Sequence, residues 1–169
     1  LPRVVVDAAP RAHATVPSGS PRRILVADDN EDSAESLALL LEAHGHQVQV
    51  AHDGESALAV AERFRPDVAF IDIGMPKRSG YEVAEELRLR PWSESVRLIA
   101  VTGWGQESDR RRAQEVGFDA HLVKPATPEA LFGLLASFDT PRAGRAAEPS
   151  IAAQPPSETA ASAGPATPA

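Results

Sequence analysis

The stretch DVAFIDIGMPKRSG, residues 67–80, joins a buried strand to a polar loop. Four of the five residues from Val68 to Asp72 are apolar, which is typical of a strand that is covered on both faces of a sheet. The run ends in the carboxylate of Asp72, and Gly74, a Met-Pro pair and two basic residues follow it. An acid at the end of a buried strand indicates a polar site at the edge of the sheet.

Short apolar runs alternate with amphipathic stretches on both sides of this segment. We predict five strands, at residues 23–28, 47–52, 67–72, 96–101 and 120–123. We predict five helices, at residues 30–44, 54–64, 80–90, 107–116 and from Pro128 onward, the last with Thr127 as its N-cap. Five successive βα units predict an α/β fold with a doubly wound, five-stranded parallel sheet and five flanking helices.

The composition limits the chemistry. The chain has no cysteine, which excludes disulfides, thiolate metal sites, iron–sulfur clusters and a thiol nucleophile. Its net charge of −7 argues against non-specific nucleic-acid binding, and no apolar stretch approaches the roughly 20 residues that span a bilayer. We therefore expect a cytoplasmic segment that contacts neither nucleic acid nor membrane.

Three zones divide the chain. Residues 22–138 carry the whole net charge and all the predicted elements, and we expect them to form one domain. Residues 1–21 contain four prolines and are predicted to be a disordered linker or the end of an upstream domain. Residues 139–169 are rich in Ala and Pro and are predicted to be a disordered tail. Because no Met precedes Leu1 and no signal pattern follows it, we expect the sequence to be part of a longer protein.

Candidate site residues stand at four of the five predicted strand ends: Asp28 and Asp29, Asp72, Thr102, and Lys124. The second strand ends in His52-Asp53, with no comparably placed acid pair. In open α/β sheets the functional crevice lies beyond the carboxyl ends of the strands, so we expect the candidate side chains to converge. Acids about 4 Å apart repel each other by about 4 kcal/mol per pair at an effective dielectric of 20, and a divalent cation relieves that repulsion. Oxygen ligands favour Mg²⁺ or Mn²⁺. A carboxylate beside such an ion can attack a phosphoryl group, and an ammonium and a hydroxyl can stabilise the developing charge.

Four motifs in order, each at a strand end, resemble the receiver domain of two-component response regulators. They are VADDN (26–30), FIDIGMP (70–76), AVTG (100–103) and LVKPATPEAL (122–131). The resemblance covers residues 22–138 and implies a flavodoxin-like (βα)5 fold.

The resemblance also implies roles for individual residues. It implies that Asp72 is the phosphoacceptor and that Lys124 pairs with it or with its phosphoryl group. Thr102 would contact the phosphoryl oxygens, and the Lys124–Pro125 bond would be cis. The implied Mg²⁺ ligands, with Mn²⁺ as the alternative ion, are Asp28, Asp29, Asp72 and the backbone carbonyl of Gly74.

One position departs from the family pattern. Receiver domains usually have Tyr or Phe three residues before the conserved lysine, and this aromatic ring moves inward together with the threonine. This chain has His121 there, so we expect a switch at Thr102 and His121 that is weaker or sensitive to pH. Gly74 and Trp104 occupy positions that influence the phosphoryl lifetime in the family. Gly74 leaves space for the water that removes the phosphoryl group, whereas Trp104 can exclude that water, so the two residues favour opposite lifetimes.

The implied partner is the phosphohistidine domain of a histidine kinase, in cis or in trans, and a histidine phosphotransfer protein is a further candidate. The opening LPRVV resembles the end of a histidine-kinase ATP-binding domain, which favours the C-terminal receiver of a hybrid histidine kinase.

Other interpretations of the same residues remain open. The domain could be a docking module that works without phosphorylation, or an aspartyl-phosphate phosphohydrolase, although Gly74 stands where such enzymes usually keep a second acid. Asp29 or Asn30 could simply cap the first helix. We interpret Arg110–Arg112 as a solvated helix face rather than a nucleic-acid patch.

Overall fold

The computed structural model describes residues 20–103 and 106–139. The strands are β1 Arg23–Ala27, β2 Gln47–Ala51, β3 Val68–Asp72, β4 Arg97–Thr102 and β5 Ala120–Val123. The helices are α1 Glu31–Ala43, α2 Gly54–Phe64, α3 Gly80–Arg88, α4 Glu107–Glu115 and α5 Pro128–Ser137. The predicted βα alternation is confirmed, and most element ends lie within one residue of the prediction.

All five strands form one parallel sheet in the order β2-β1-β3-β4-β5. β3 lies in the middle, and all five of its residues are buried, as its apolar run predicts. From β1 the chain adds β2 on one side, and it then crosses over to add β3, β4 and β5 on the other side, so the strand order changes direction between β1 and β3. The carboxyl ends of these two strands therefore flank the crevice that open α/β sheets use for binding.

Each face of the sheet has its own core. Leu25, Ile71 and Leu98 point to the face that α2, α3 and α4 cover. Val26, which follows Leu25 in β1, and Phe70, which precedes Ile71 in β3, point to the opposite face, which α1 and α5 cover. This alternation produces the double layer of helices that the sequence predicts.

Side chains cap four of the five helices. Asn30, Asp53, Ser79 and Thr127 each accept a hydrogen bond from a backbone N–H in the first turn. Gln106, at the start of α4, makes no such bond. Asn30 therefore has the capping role that the sequence left open between Asp29 and Asn30.

Two further details differ from the sequence-based expectation. α3 ends at Arg88, two residues before its predicted end, and Pro91–Ser95 form a short 3-10 helix where no element was predicted. Pro91 starts that turn because its ring fixes φ at a helical value.

Among the described residues, none of the helices combines the length and apolarity needed to span a bilayer. The predicted linker and tail lie almost entirely outside the described residues.

Candidate functional site

Three carboxylates meet at the carboxyl edge of the sheet. Asp28 follows β1, Asp29 comes next, and Asp72 ends β3, the neighbouring strand. One carboxylate oxygen from each lies within 4.8 Å of the others. Asp28 is 5% exposed and Asp72 is 8% exposed, while Asp29 is open to solvent. The predicted convergence of these acids is present.

A single ammonium group bridges two of the acids. Lys124 Nζ lies 2.7 Å from Asp28 Oδ2 and 3.1 Å from Asp72 Oδ2. The backbone N–H of Lys124 donates to the carbonyl of Thr102 at 2.8 Å, which continues the β4–β5 pairing past the end of β5. The Lys124–Pro125 peptide bond is cis, as predicted. Two of the three negative charges therefore share one positive charge.

The remaining oxygens of these two acids are held by the backbone. Asp28 Oδ1 accepts the N–H of Asn30 at 3.0 Å, and Asp72 Oδ1 accepts the N–H of Gly74 at 3.0 Å. Each carboxylate is thus fixed by a backbone donor on one oxygen and by Lys124 on the other. The two acids are oriented before any ligand arrives.

The protonation equilibria reflect this crowding. Burial raises the pKa of Asp72 above its usual value, and the nearby Asp28 acts in the same direction, whereas the Gly74 N–H and Lys124 oppose it. Burial lowers the pKa of the Lys124 ammonium, but its hydrogen bonds to Asp28 and Asp72 outweigh burial, so the net shift is upward. Lys124 therefore keeps its proton, and the carboxyl group of Asp72 binds a proton more readily than a solvent-exposed aspartate does.

Thr102 contributes a hydroxyl at the same edge. It ends β4, beside Asp72 in the sheet order, and it is buried. Its Oγ1 makes no hydrogen bond to any residue in the described ranges. A buried hydroxyl without a partner is costly, so this group is available to a ligand at the crevice.

Comparison with known proteins places this site in a family. The response regulator receiver domain family matches residues 24–136, which is more than half of the chain. The chain belongs to that family. Receiver domains are the signal-accepting modules of two-component systems, and the observed strand order is that of the flavodoxin-like fold, which the resemblance implied.

Individual relatives agree with this membership. The receiver domain is 35% identical to Protein PilH of Pseudomonas aeruginosa over 109 residues, covering 64% of this chain and 90% of PilH. The structure of chemotaxis protein CheY4 of Vibrio cholerae superposes with a TM-score of 0.67 at 28% identity, covering 70% of this chain and 98% of that one. The receiver domain of sensor histidine kinase PA1611 from Pseudomonas aeruginosa, with a magnesium ion coordinated in its active site cleft, gives a TM-score of 0.65 at 28% identity. That match covers 71% of this chain and 98% of the PA1611 domain.

The loop after Asp72 in this receiver domain depends on one close approach. A Cβ on Gly80 would lie 2.4 Å from the carbonyl oxygen of Asp72 and 2.9 Å from the Cα of Ile73. Only glycine fits there, so α3 starts directly against the backbone of the predicted phosphoacceptor. A Cβ on Gly74 would meet Asp72 Oδ1 at an ordinary contact distance of 3.7 Å, so this position does not require glycine for steric reasons.

His121 is half-buried, and burial, followed by the nearby Arg110, lowers its pKa. Its β4 partner is Ala100, two residues before Thr102, so both predicted switch residues lie on the same face of the receiver sheet. Trp104, which the sequence singled out for the phosphoryl lifetime, lies outside the described residues.

Sequence reasoning missed two features around the site of this receiver domain. The sequence analysis placed Gly80 only at the start of a helix. A glycine at the end of the polar loop after a strand is a signal for close backbone approach, and Gly80 has that position. Tyr81 was not singled out. The structure buries Tyr81 and brings it against Asp109 and Arg112 of α4. All three arginines of the triplet are exposed, as the sequence interpretation expected, and Arg112 additionally stacks on the Tyr81 ring.

Proposed function

We propose that this chain accepts a phosphoryl group on Asp72 from the phosphohistidine of a histidine kinase, in a reaction that depends on Mg²⁺. The observation that carries the proposal is the Lys124 ammonium bridging Asp28 and Asp72, with Asp29 beside them and the unpartnered Thr102 hydroxyl on the adjacent strand. This set supplies a nucleophile, a metal-binding acid pair, a cation and a hydrogen-bond donor for one phosphoryl group.

The transfer balances with the groups present. A carboxylate oxygen of Asp72 attacks phosphorus as the bond between phosphorus and the histidine nitrogen breaks. The electron pair of that bond stays on the imidazole nitrogen, which takes up a proton from water. Lys124 offsets the charge on the phosphoryl oxygens, and Thr102 donates its hydroxyl to one of them. Burial favours this role because it raises the basicity of the Asp72 carboxylate.

The donor set fits a hard divalent cation. Asp28, Asp29 and Asp72 offer only oxygens, which suits Mg²⁺ and also Mn²⁺, and we propose the carbonyl of Gly74 as a further ligand. The magnesium ion in the cleft of the PA1611 receiver domain supports this assignment. Bound there, the ion would neutralise acid charge and polarise the phosphoryl oxygens.

We propose a hybrid histidine kinase as the setting, with the kinase phosphohistidine domain acting in cis or in trans. The LPRVV opening and the similarity to the receiver domain of a sensor histidine kinase support it. A histidine phosphotransfer protein is the proposed onward acceptor, and we propose a cytoplasmic location. The acidic domain charge makes nucleic acid an unsuitable partner.

Intact mass spectrometry tests the phosphoacceptor. The chain is incubated with Mg²⁺ and acetyl phosphate beside Asp72→Asn, an EDTA control, and Asp32→Asn, which removes an exposed acid of α1. We expect one added phosphoryl group on the wild type and on Asp32→Asn, and none on Asp72→Asn or with EDTA. An adduct that persists in Asp72→Asn would refute the assignment. If no sample is labelled and beryllofluoride leaves the NMR spectrum unchanged, a phosphorylation-independent docking module is the better account.

A further inference from the structure

α4 is attached to the domain by unusually few apolar contacts. Of its nine residues only Ala113 is buried, and Gln106 provides no side-chain cap. Its first residue, Glu107, comes five positions after Thr102 along the chain. α4 is thus the helix that follows the strand carrying the Thr102 hydroxyl, and few contacts fix its first turn.

Tyr81 of α3 supplies the contacts that α4 otherwise lacks. Its hydroxyl donates to Asp109 in the first turn of α4, at 3.4 Å to Oδ1 and 3.5 Å to the backbone carbonyl. One turn further on, the guanidinium of Arg112 lies 4.3 Å from the centre of the Tyr81 ring. Tyr81 is only 6% exposed, so the α3 side of this contact is fixed by packing.

The other end of this connection is the backbone of Asp72. Tyr81 follows Gly80 directly, and the close approach of Gly80 to the Asp72 carbonyl leaves no room for α3 to shift toward β3. The Gly80 N–H also donates to the carbonyl of Ile73 at 3.2 Å. The start of α3 thus contacts both sides: Gly80 packs on the backbone of Asp72, and Tyr81 contacts α4, the helix that follows Thr102 in the chain.

We propose that Tyr81 is a positioning residue for the chemistry at Asp72: it fixes the first turn of α4, the helix that follows β4 and Thr102 in the chain, and through this helix it positions the Thr102 hydroxyl. The inference rests on the proposed phosphoacceptor function. It follows that Tyr81 acts through Thr102, so loss of its hydroxyl slows phosphorylation only while the Thr102 hydroxyl is present.

The test measures the rate constant of phosphorylation by acetyl phosphate with Mg²⁺, followed by intact mass, on the full chain. Tyr81→Phe removes the hydroxyl but keeps the ring on which Arg112 stacks. We expect the rate constant to fall about threefold to tenfold, which is the range of one net hydrogen bond. Asp109→Ala should show a similar fall, and Asp109→Asn, which keeps an acceptor at Oδ1, should restore most of the rate. Arg111→Gln is the matched control, because Arg111 pairs outward with Glu107 at 3.4 Å.

The Thr102→Ala background separates positioning from a purely structural role. There, Tyr81→Phe should cause no further change in rate, although its effect on thermal unfolding should persist. An unchanged rate in Tyr81→Phe, or an equal fall with and without the Thr102 hydroxyl, would overturn the inference while leaving the phosphoacceptor intact. A wild type that gains no phosphoryl group at all would overturn both.

Discussion

α2 and α4 cover the same face of the sheet, yet they are attached to it very differently. α2 is capped by Asp53, whose side chain accepts the Ser56 N–H at 2.8 Å, and the helix buries Gly54, Ala57 and Ala61. α4 has no side-chain cap and buries only Ala113. Stability is therefore unevenly distributed over one face of one small domain.

The contrast follows from what each helix adjoins. The start of α2 packs against the loop after Asp72, where a Cβ on Gly54 would lie 2.6 Å from the Cβ of Arg78. α4 instead follows Thr102, whose hydroxyl has no partner among the described residues. Elements that respond to a ligand are drawn from the less stable part of a fold, because tight packing resists movement. In this domain α2 packs on the loop after the predicted phosphoacceptor, whereas α4 is held by fewer contacts.

Gly54→Ala tests the tight side of this comparison, and we expect the largest effect from it. The new methyl group would meet Arg78 Cβ, and the Arg78 carbonyl oxygen at 3.0 Å, so the loop must shift. We expect a loss of about 1–3 kcal/mol in the free energy of unfolding by urea. Gly133→Ala in α5 is the control, because a Cβ there meets nothing within 4 Å, and it should gain about 0.5–1 kcal/mol. Equal effects of the two substitutions would mean that α2 is not tightly seated.

Gln106→Ser gives α4 the cap that α2 already has. The extended backbone at residue 106 suits an N-cap, and the serine hydroxyl can accept an N–H of the first turn. We expect a gain of about 0.5–1 kcal/mol, seen as about twofold to fivefold slower hydrogen exchange in α4 and no change in α2. Asp53→Ser, which exchanges one capping residue for another at α2, is the matched control. If exchange slows equally in both helices, α4 is not a separate low-stability element.

His121→Gln should have the smallest effect and concerns pH. The folded-state pKa of His121 lies below the unfolded value of 6.5, because of burial and Arg110 of α4, so the unfolded chain binds more protons between the two values. The stabilisation from neutral His121 is present above pH 6.5 and is lost as the pH falls from there through the folded-state pKa. We measure the free energy of unfolding by urea at about pH 7.5 and about pH 5.5. The decrease in this free energy from the higher to the lower pH should be smaller for His121→Gln than for the wild type. His46, whose pKa is also lowered, stays in both proteins. Parallel pH dependence in the two proteins would refute a contribution from His121.

The fold and most of the site could be read from local signals. The apolar run of β3, the alternation of strands and helices, and Pro128 behind Thr127 each depend on a few neighbouring residues. The polar residues at the strand ends converge because parallel strands end at one edge, so the chain order alone predicted their meeting. The boundaries at 22 and 138 stay a prediction.

The contacts around the site were harder to foresee because they join distant residues. Tyr81 and Asp109 are 28 positions apart, and no periodicity connects an aromatic residue at one helix start with an acid in the first turn of another. Arg110, Arg111 and Arg112 look alike in the sequence. The structure sets Arg110 near His121, pairs Arg111 with Glu107, and stacks Arg112 on Tyr81.

The sequence by itself determined the architecture and the chemistry of the crevice: a parallel sheet with helices on both faces, and acids, a hydroxyl and an ammonium at its carboxyl edge. These follow from periodicity and chain order, which act over a few residues. Only the tertiary structure decided that Lys124 bridges Asp28 and Asp72, that Gly80 seats α3 on the Asp72 carbonyl, and that α4 rests on Tyr81. Those contacts depend on how closely separate elements pack, and packing distances are set by the whole core and not by any one segment.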